Sequence, residues 1–248
     1  MKEANQIFSL KDAALVLLHG FMEDSRIWHS FETALKESFT VFCPNLPGHG
    51  FNPTYLEKPS METYAEYLHA KIPDEKPLIL IGHSMGGYVA LAFAERYPKR
   101  VSGLVLLNSI CLADSEARKQ ERDRSIALMQ HNYPLFARSF VPQIFADSKH
   151  PAIDKITEIA LQQQPDGMIQ STRAMRNRSN HCSANLGKHF PALLIAGRHD
   201  KLISSNAVNE CMLQCPSLKI EWLENAGHIA FWEEPEQCLQ HIRDWIAA

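Results

Sequence analysis

Residues 78–87 read Leu-Ile-Leu-Ile-Gly-His-Ser-Met-Gly-Gly, an apolar run that ends in Gly82-x-Ser84-x-Gly86 and passes into Tyr88-Val89-Ala90-Leu91-Ala92-Phe93-Ala94. A short apolar run before glycine reads as a buried strand, and the Ala- and Leu-rich segment after it reads as a helix. The chain must therefore turn sharply from strand to helix with one serine at the bend. Glycines two residues either side let strand and helix approach without a Cβ clash, and the turn strains the serine backbone while leaving its hydroxyl exposed. Ser84 is therefore a candidate nucleophile. A bare Gly-x-Ser-x-Gly is a common chance match, so the flanking elements carry the assignment.

A serine hydroxyl needs a base within hydrogen-bond reach and a third group to orient that base. The apolar run Ala192–Ala196 is followed by Gly197-Arg198-His199-Asp200, and Ile220–Leu223 by Asn225-Ala226-Gly227-His228. A carboxylate and an imidazole thus each fall just past a strand end. The order serine, acid, histidine is that of one of the three known triad arrangements. Ser84 is assigned as nucleophile, Asp200 as orienting acid and His228 as general base. Asp114, a few residues past the Val101–Leu107 strand, is the rival acid, and the tighter turn of Gly197-x-x-Asp200 favours Asp200. Two backbone amides are placed to stabilise a developing oxyanion: that of Met85, at a helix start, and that of Phe21, after the run Leu15-Val16-Leu17-Leu18-His19-Gly20. His19 is read as shaping that loop rather than as a base.

Five motifs in order, His19-Gly20-Phe21, Asn45-Leu46-Pro47-Gly48-His49-Gly50, Gly82-His83-Ser84-Met85-Gly86-Gly87, Gly197-Arg198-His199-Asp200 and Ala226-Gly227-His228, resemble the α/β-hydrolase fold superfamily. Among its branches the chain is similar to compact bacterial carboxylesterases and to menaquinone- and biotin-pathway hydrolases. The resemblance implies an α/β fold with a mostly parallel central sheet flanked by helices, and a helical cap inserted in it. It covers both ends of the chain and leaves the middle unexplained. A serine at position 84 argues against haloalkane dehalogenases and epoxide hydrolases, which carry aspartate there.

The organisation of the chain agrees. Strands are expected at Ala14–Leu18, Thr40–Pro44, Leu78–Ile81, Val101–Leu107, Ala192–Ala196 and Ile220–Leu223, with a further short one within Gln6–Leu10. Helices are expected near Trp28–Leu35, Met61–Lys71, Ser84–Arg96 and Pro235–Ile246. This alternation places a core at 1–112 and 188–248. Between them, 113–187 reads as helical and is expected to cap the site. Its apolar residues Leu128, Met129, Tyr133, Leu135, Phe136, Phe140, Val141, Ile144 and Phe145 suggest a hydrophobic pocket, while Arg118, Lys119, Arg122 and Arg124 read as a solvated helix face. Arg173 and Arg176, and with them Arg178, are candidates to pair with a substrate carboxylate, and Phe136 and Trp232 are candidate substrate contacts. Arg26 reads as a structural ion pair.

With 248 residues, 45% hydrophobic content and net charge −3, the chain can bury one large core and has no electrostatic bias towards nucleic acid. It has neither an apolar run long enough to span a membrane nor a secretion signal at its start, so a cytoplasmic protein, monomer or homodimer, is expected. Cys43, Cys111, Cys211, Cys215 and Cys238 sit in or beside apolar patterns and read as reduced packing thiols. No His-Glu-x-x-His, phosphate-loop lysine or completed dinucleotide fingerprint is present, so no metal and no cofactor are expected. The reading is a serine hydrolase of a small-molecule carboxylic ester or thioester. Two alternatives use the same framework: a lyase or C–C bond hydrolase with the triad as acid and base, and a non-enzymatic sensor of a small ligand.

Overall fold

Ala14–Leu18 (β1) is an unbroken apolar strand with no exposed residue, and such a strand fits only where both faces of a sheet are covered. In the computed structural model, which describes residues 10–73, 75–182 and 186–248, β1 lies inside a six-stranded sheet. Its partners are Val41–Phe42 (β2), Leu78–His83 (β3), Val101–Leu107 (β4), Ala192–Gly197 (β5) and Leu218–Leu223 (β6). The spatial order is β2-β1-β3-β4-β5-β6, and every neighbouring pair is parallel. Burial follows position: β1, β3, β4 and β5 are wholly buried, whereas edge strand β6 exposes Lys219. At the other edge β2 is shorter than the expected Thr40–Pro44, in keeping with Pro44, which has no N–H for a ladder. The expected strand within Gln6–Leu10 falls outside the described residues except for Leu10, which opens a 3-10 turn.

Helices cover both faces. His29–Lys36 (α1) and Pro235–Ala247 (α9), with the short Ala230–Glu233 (α8), pack on one side. Met61–Lys71 (α2), Met85–Arg96 (α3) and Ser205–Gln214 (α7) pack on the other. The order in which successive strands are added reverses between β1 and β3, so their carboxyl ends flank a crevice at a topological switch point.

Between β4 and β5 the chain forms Glu116–Phe140 (α4), Ile153–Leu161 (α5) and Pro165–Arg176 (α6). Helix α4 breaks at Asn132, whose backbone leaves the helical region two residues before Pro134 and whose side chain accepts from the Leu135 amide. The apolar residues of α4 and the turn after it divide: Met129, Tyr133, Val141 and Phe145 are packed in the core, whereas Leu128 and Leu135 are exposed. These helices are fastened to the loops after β1 and β2. Gln163 donates to Asp24 and accepts from the Gly50 amide, and Gly167 packs so closely on Gly48 that a Cβ on either would strike the other's backbone. Arg26 pairs with Asp24, as expected, and donates to Gln162.

Candidate active site

The strand-to-helix turn is as tight as its glycines imply. A Cβ on Gly82 would run into the backbone of Gly86 and Gly87, and one on Gly86 into the carbonyls of Leu18 and His19. Ser84 sits between them at φ 49°, ψ −114°, a left-handed conformation rare outside glycine. Its amide donates to the Leu107 carbonyl, which fixes the bend to β4.

Three loops bring their side chains to this bend. His228 Nε2 lies 2.8 Å from Ser84 Oγ, and His228 Nδ1 lies 2.7 Å from Asp200 Oδ2. Ionised carboxylate oxygens only accept, so Nδ1 carries the proton and Nε2 faces the hydroxyl as acceptor. Asp200 is further held by the Leu202 and Ile203 amides on Oδ1 and by Asn108 Nδ2 on Oδ2. Burial alone would raise its pKa, but His228 and these donors outweigh that and hold it below the usual carboxylate range. The row can pass the serine proton to Nε2 and stabilise the imidazolium that results.

The His228 loop is fastened from two sides. Glu233 accepts from the Gly227 amide and the Ala146 amide, each at 2.7 Å, and the His228 and Ile229 amides both donate to the Ile144 carbonyl. Beneath it lies a second buried pair. Glu23 Oε2 accepts from the Gly20 amide at 2.6 Å and faces His83 Nδ1 at 2.9 Å, while His83 Nε2 donates to the His228 carbonyl. Burial works against a charged His83, yet Glu23 and the His228 carbonyl overcome it and raise its pKa above 6.5. His19 has the loop-shaping role: it donates from Nδ1 to the Gly20 carbonyl and accepts the Leu46 amide on Nε2, and burial keeps it neutral. Neither Glu23 nor Glu233 belongs to a recognisable motif, and only the folded chain reveals them.

Ser84 and His228 open into a cavity of about 750 Å³. Apolar residues Phe21, Ile110, Leu112, Phe140, Met175 and Ile203 contribute to its wall. Met85, the first residue of α3, has no carbonyl four residues back within the helix to bond its amide. Of the expected substrate contacts, Arg178 lines this cavity, whereas Arg173, Arg176, Phe136 and Trp232 do not. Arg173 borders a shallow groove with Tyr55 and Gln130, and Arg176 is half-buried and paired with Asp123. Phe136 stacks behind Phe140, and Trp232 donates to the Ile27 carbonyl with Lys155 over its ring. Arg178, two residues past the end of α6, folds back into the wall, bonding Asp114 at 2.5 Å and lying 4.0 Å over the Tyr88 ring. Arg122 reaches the same Asp114 at 3.1 Å, so it is part of the cavity wall and not of a solvated helix face. Asp114, the rival acid, is thereby engaged by two guanidiniums rather than by His228.

One expectation is overturned outside this row: Cys111 and Cys182 form a disulfide, where packing thiols were expected. The pairing joins residues 71 apart in sequence and depends on the fold of the intervening helices.

Among the described residues no helix is long and apolar enough to cross a membrane. A family model described as the alpha/beta hydrolase fold matches residues 13–131. A pimeloyl-[acyl-carrier protein] methyl ester esterase from Aromatoleum aromaticum is 29% identical over 94% of this chain and 97% of its own length. A thermophilic esterase from Thermogutta terrifontis, solved with malate bound, superposes at TM-score 0.83 with 27% identity, covering 95% of this chain and 89% of that one. MenH from S. aureus superposes at TM-score 0.84 with 23% identity, covering 98% and 95% respectively, and supports the fold alone. With the parallel sheet and its order of strands, these likenesses show that the chain has the α/β-hydrolase fold.

Proposed function

We propose that the protein is a serine hydrolase of carboxylic esters or thioesters, with Ser84 as nucleophile, His228 as general base and Asp200 as orienting acid. The observation that carries the reading is the hydrogen-bonded row Asp200–His228–Ser84, whose Ser84 and His228 line the cavity. Ser84 Oγ attacks the substrate carbonyl carbon as its proton passes to His228 Nε2. The Phe21 and Met85 amides receive the oxyanion, and collapse expels the alcohol or thiol, which takes the proton from His228. Water, deprotonated by His228, then attacks acyl-Ser84 and releases the acid.

Helices α4–α6 act as a cap on this site, and the apolar wall suits an acyl chain. Two guanidiniums, Arg122 and Arg178, share the single carboxylate of Asp114, so this cluster within the wall carries one net positive charge for an acidic or otherwise polar end of the substrate. That suits an acyl group bearing a polar head, consistent with the relative named as an esterase of an acyl-carrier-linked methyl ester.

Hydrolysis of p-nitrophenyl esters of increasing acyl length, wild type against Ser84→Ala, tests the reading. Turnover that depends on Ser84 and peaks at one chain length supports it. Turnover retained in Ser84→Ala refutes it, and an absence of acyl-Ser84 during turnover of a natural substrate would favour lyase or C–C bond chemistry instead.

A further inference from the structure

Four of the six cysteines meet at one point beside the cavity wall. Cys111 follows β4, Cys182 follows α6, and Cys211 and Cys215 lie one turn apart at the end of α7. Cys111 and Cys182 are disulfide-bonded, and each of their sulfurs touches another thiol. Cys215 Sγ lies 3.6 Å from Cys111 Sγ, and Cys211 Sγ lies 3.9 Å from Cys182 Sγ. The sulfurs of Cys111, Cys182 and Cys215 all lie within 4.8 Å of one another, and Cys211 Sγ, outside that group of three, adjoins it through Cys182 and would have to draw in to complete a tetrahedron. A crosslink between Cys111 and Cys182 requires neither α7 cysteine. A tetrahedral tetrathiolate site with metal–sulfur bonds of about 2.3 Å has sulfur–sulfur edges of about 3.8 Å, which the two cross-contacts match.

We propose that, once the disulfide is reduced, Cys111, Cys182, Cys211 and Cys215 form a tetrathiolate site for one soft divalent cation of the zinc class. Reduction by a dithiol delivers two electrons and two protons to the Cys111–Cys182 bond and yields two thiols; cation binding then displaces the thiol protons to solvent. The bound cation would clip together three segments of the cavity wall, which carry Leu112, Arg178 and Glu210. This is a structural site, independent of the chemistry at Ser84.

Cobalt(II) titration of the protein kept in a dithiol tests it, read by thiolate-to-cobalt charge-transfer absorbance, with zinc content of the purified protein measured by elemental mass spectrometry. One cation per chain is expected. Cys182→Ser and Cys211→Ser should each weaken it at least about tenfold, the loss that even outer-shell substitutions produce. Cys43→Ser and Ser84→Ala should bind as wild type, which separates this site from the proposed hydrolysis. Should the cysteine variants fail to fold, the oxidised wild type supplies the comparison: it is folded, has two sulfurs tied up, and should lack the tetrathiolate band. Failure of the reduced wild type to take up cobalt or zinc stoichiometrically overturns the proposal, as does equal uptake by the oxidised protein.

Discussion

Replacing Glu23 by Gln removes the carboxylate under the His228 loop while keeping its shape. The pair it belongs to is buried, with side-chain exposures of 3% for Glu23 and 1% for His83, so solvent does little to screen it. Glu23 Oε2 takes one hydrogen bond from a backbone amide and one from His83, each charge-assisted and worth about 1.5–3 kcal/mol. Removing one member of a buried pair costs about 3–5 kcal/mol, and the Gln oxygen recovers part of that. A loss of about 3 kcal/mol is expected, which lowers the thermal midpoint by roughly 6–12 °C for a chain of this size. The loss should depend on pH. His83 has its pKa raised above 6.5 in the folded state, so the pair stabilises fully below 6.5 and its contribution is lost as pH rises through the folded value. The wild-type advantage over Glu23→Gln, followed by circular dichroism melts from about pH 5.5 to about pH 8.5, should therefore shrink with rising pH across the range in which histidine titrates. An advantage under about 1 kcal/mol, or one that grows with pH, would refute the reasoning, since either means that the pair is not an ionic one.

Asp200→Asn should lower kcat by about 10⁴-fold, the loss this exchange causes in the serine-protease template, with the fold retained by circular dichroism. Asp114→Asn should leave the rate on neutral esters near the wild-type value; an equal fall in both would assign the acid to Asp114. Gly86→Ala should prevent soluble expression or cost more than about 3 kcal/mol by melting, because its Cβ meets two backbone carbonyls that cannot move aside; a wild-type melt would show that the turn has slack. Arg122→Gln should raise KM about tenfold or more for an ester whose acyl chain ends in a carboxylate, while neutral esters of the same length are unaffected; equal effects on both would remove the charged wall from substrate recognition.

The sheet was legible because its strands are continuous apolar runs: Ala14–Leu18 and Val101–Leu107 match their expected bounds residue for residue. Helix Met61–Lys71 also matches its expected bounds, and in the structure Ser60 caps its start. Edge strand β6 begins at Leu218, two residues earlier than expected, since half-exposed Lys219 and Ile220 give a weak pattern there. Ser84, Asp200 and His228 stood out because each closes an apolar run with a tight turn. Their supports did not. Glu23, Glu233 and Asn108 act across 60, 87 and 92 residues of chain, at distances where one sequence carries no pairing signal. Arg173, Arg176 and Arg178 were all candidates, and only the packing shows that the first two turn away from the cavity while Arg178, beyond the helix end, turns in. The Cys111–Cys182 bond escaped for a similar reason: Cys182 lies in a loop whose position is set by three helices before it.

The most direct test of the central claim is intact-protein mass spectrometry after reaction with a p-nitrophenyl alkylphosphonate, which mimics the tetrahedral intermediate and traps an activated serine. One phosphonyl adduct per chain, mapped to Ser84 by peptide sequencing and absent from both Ser84→Ala and His228→Ala, is the predicted result. No adduct on wild type, or an adduct at any other residue, would contradict the assignment of Ser84 as an activated nucleophile.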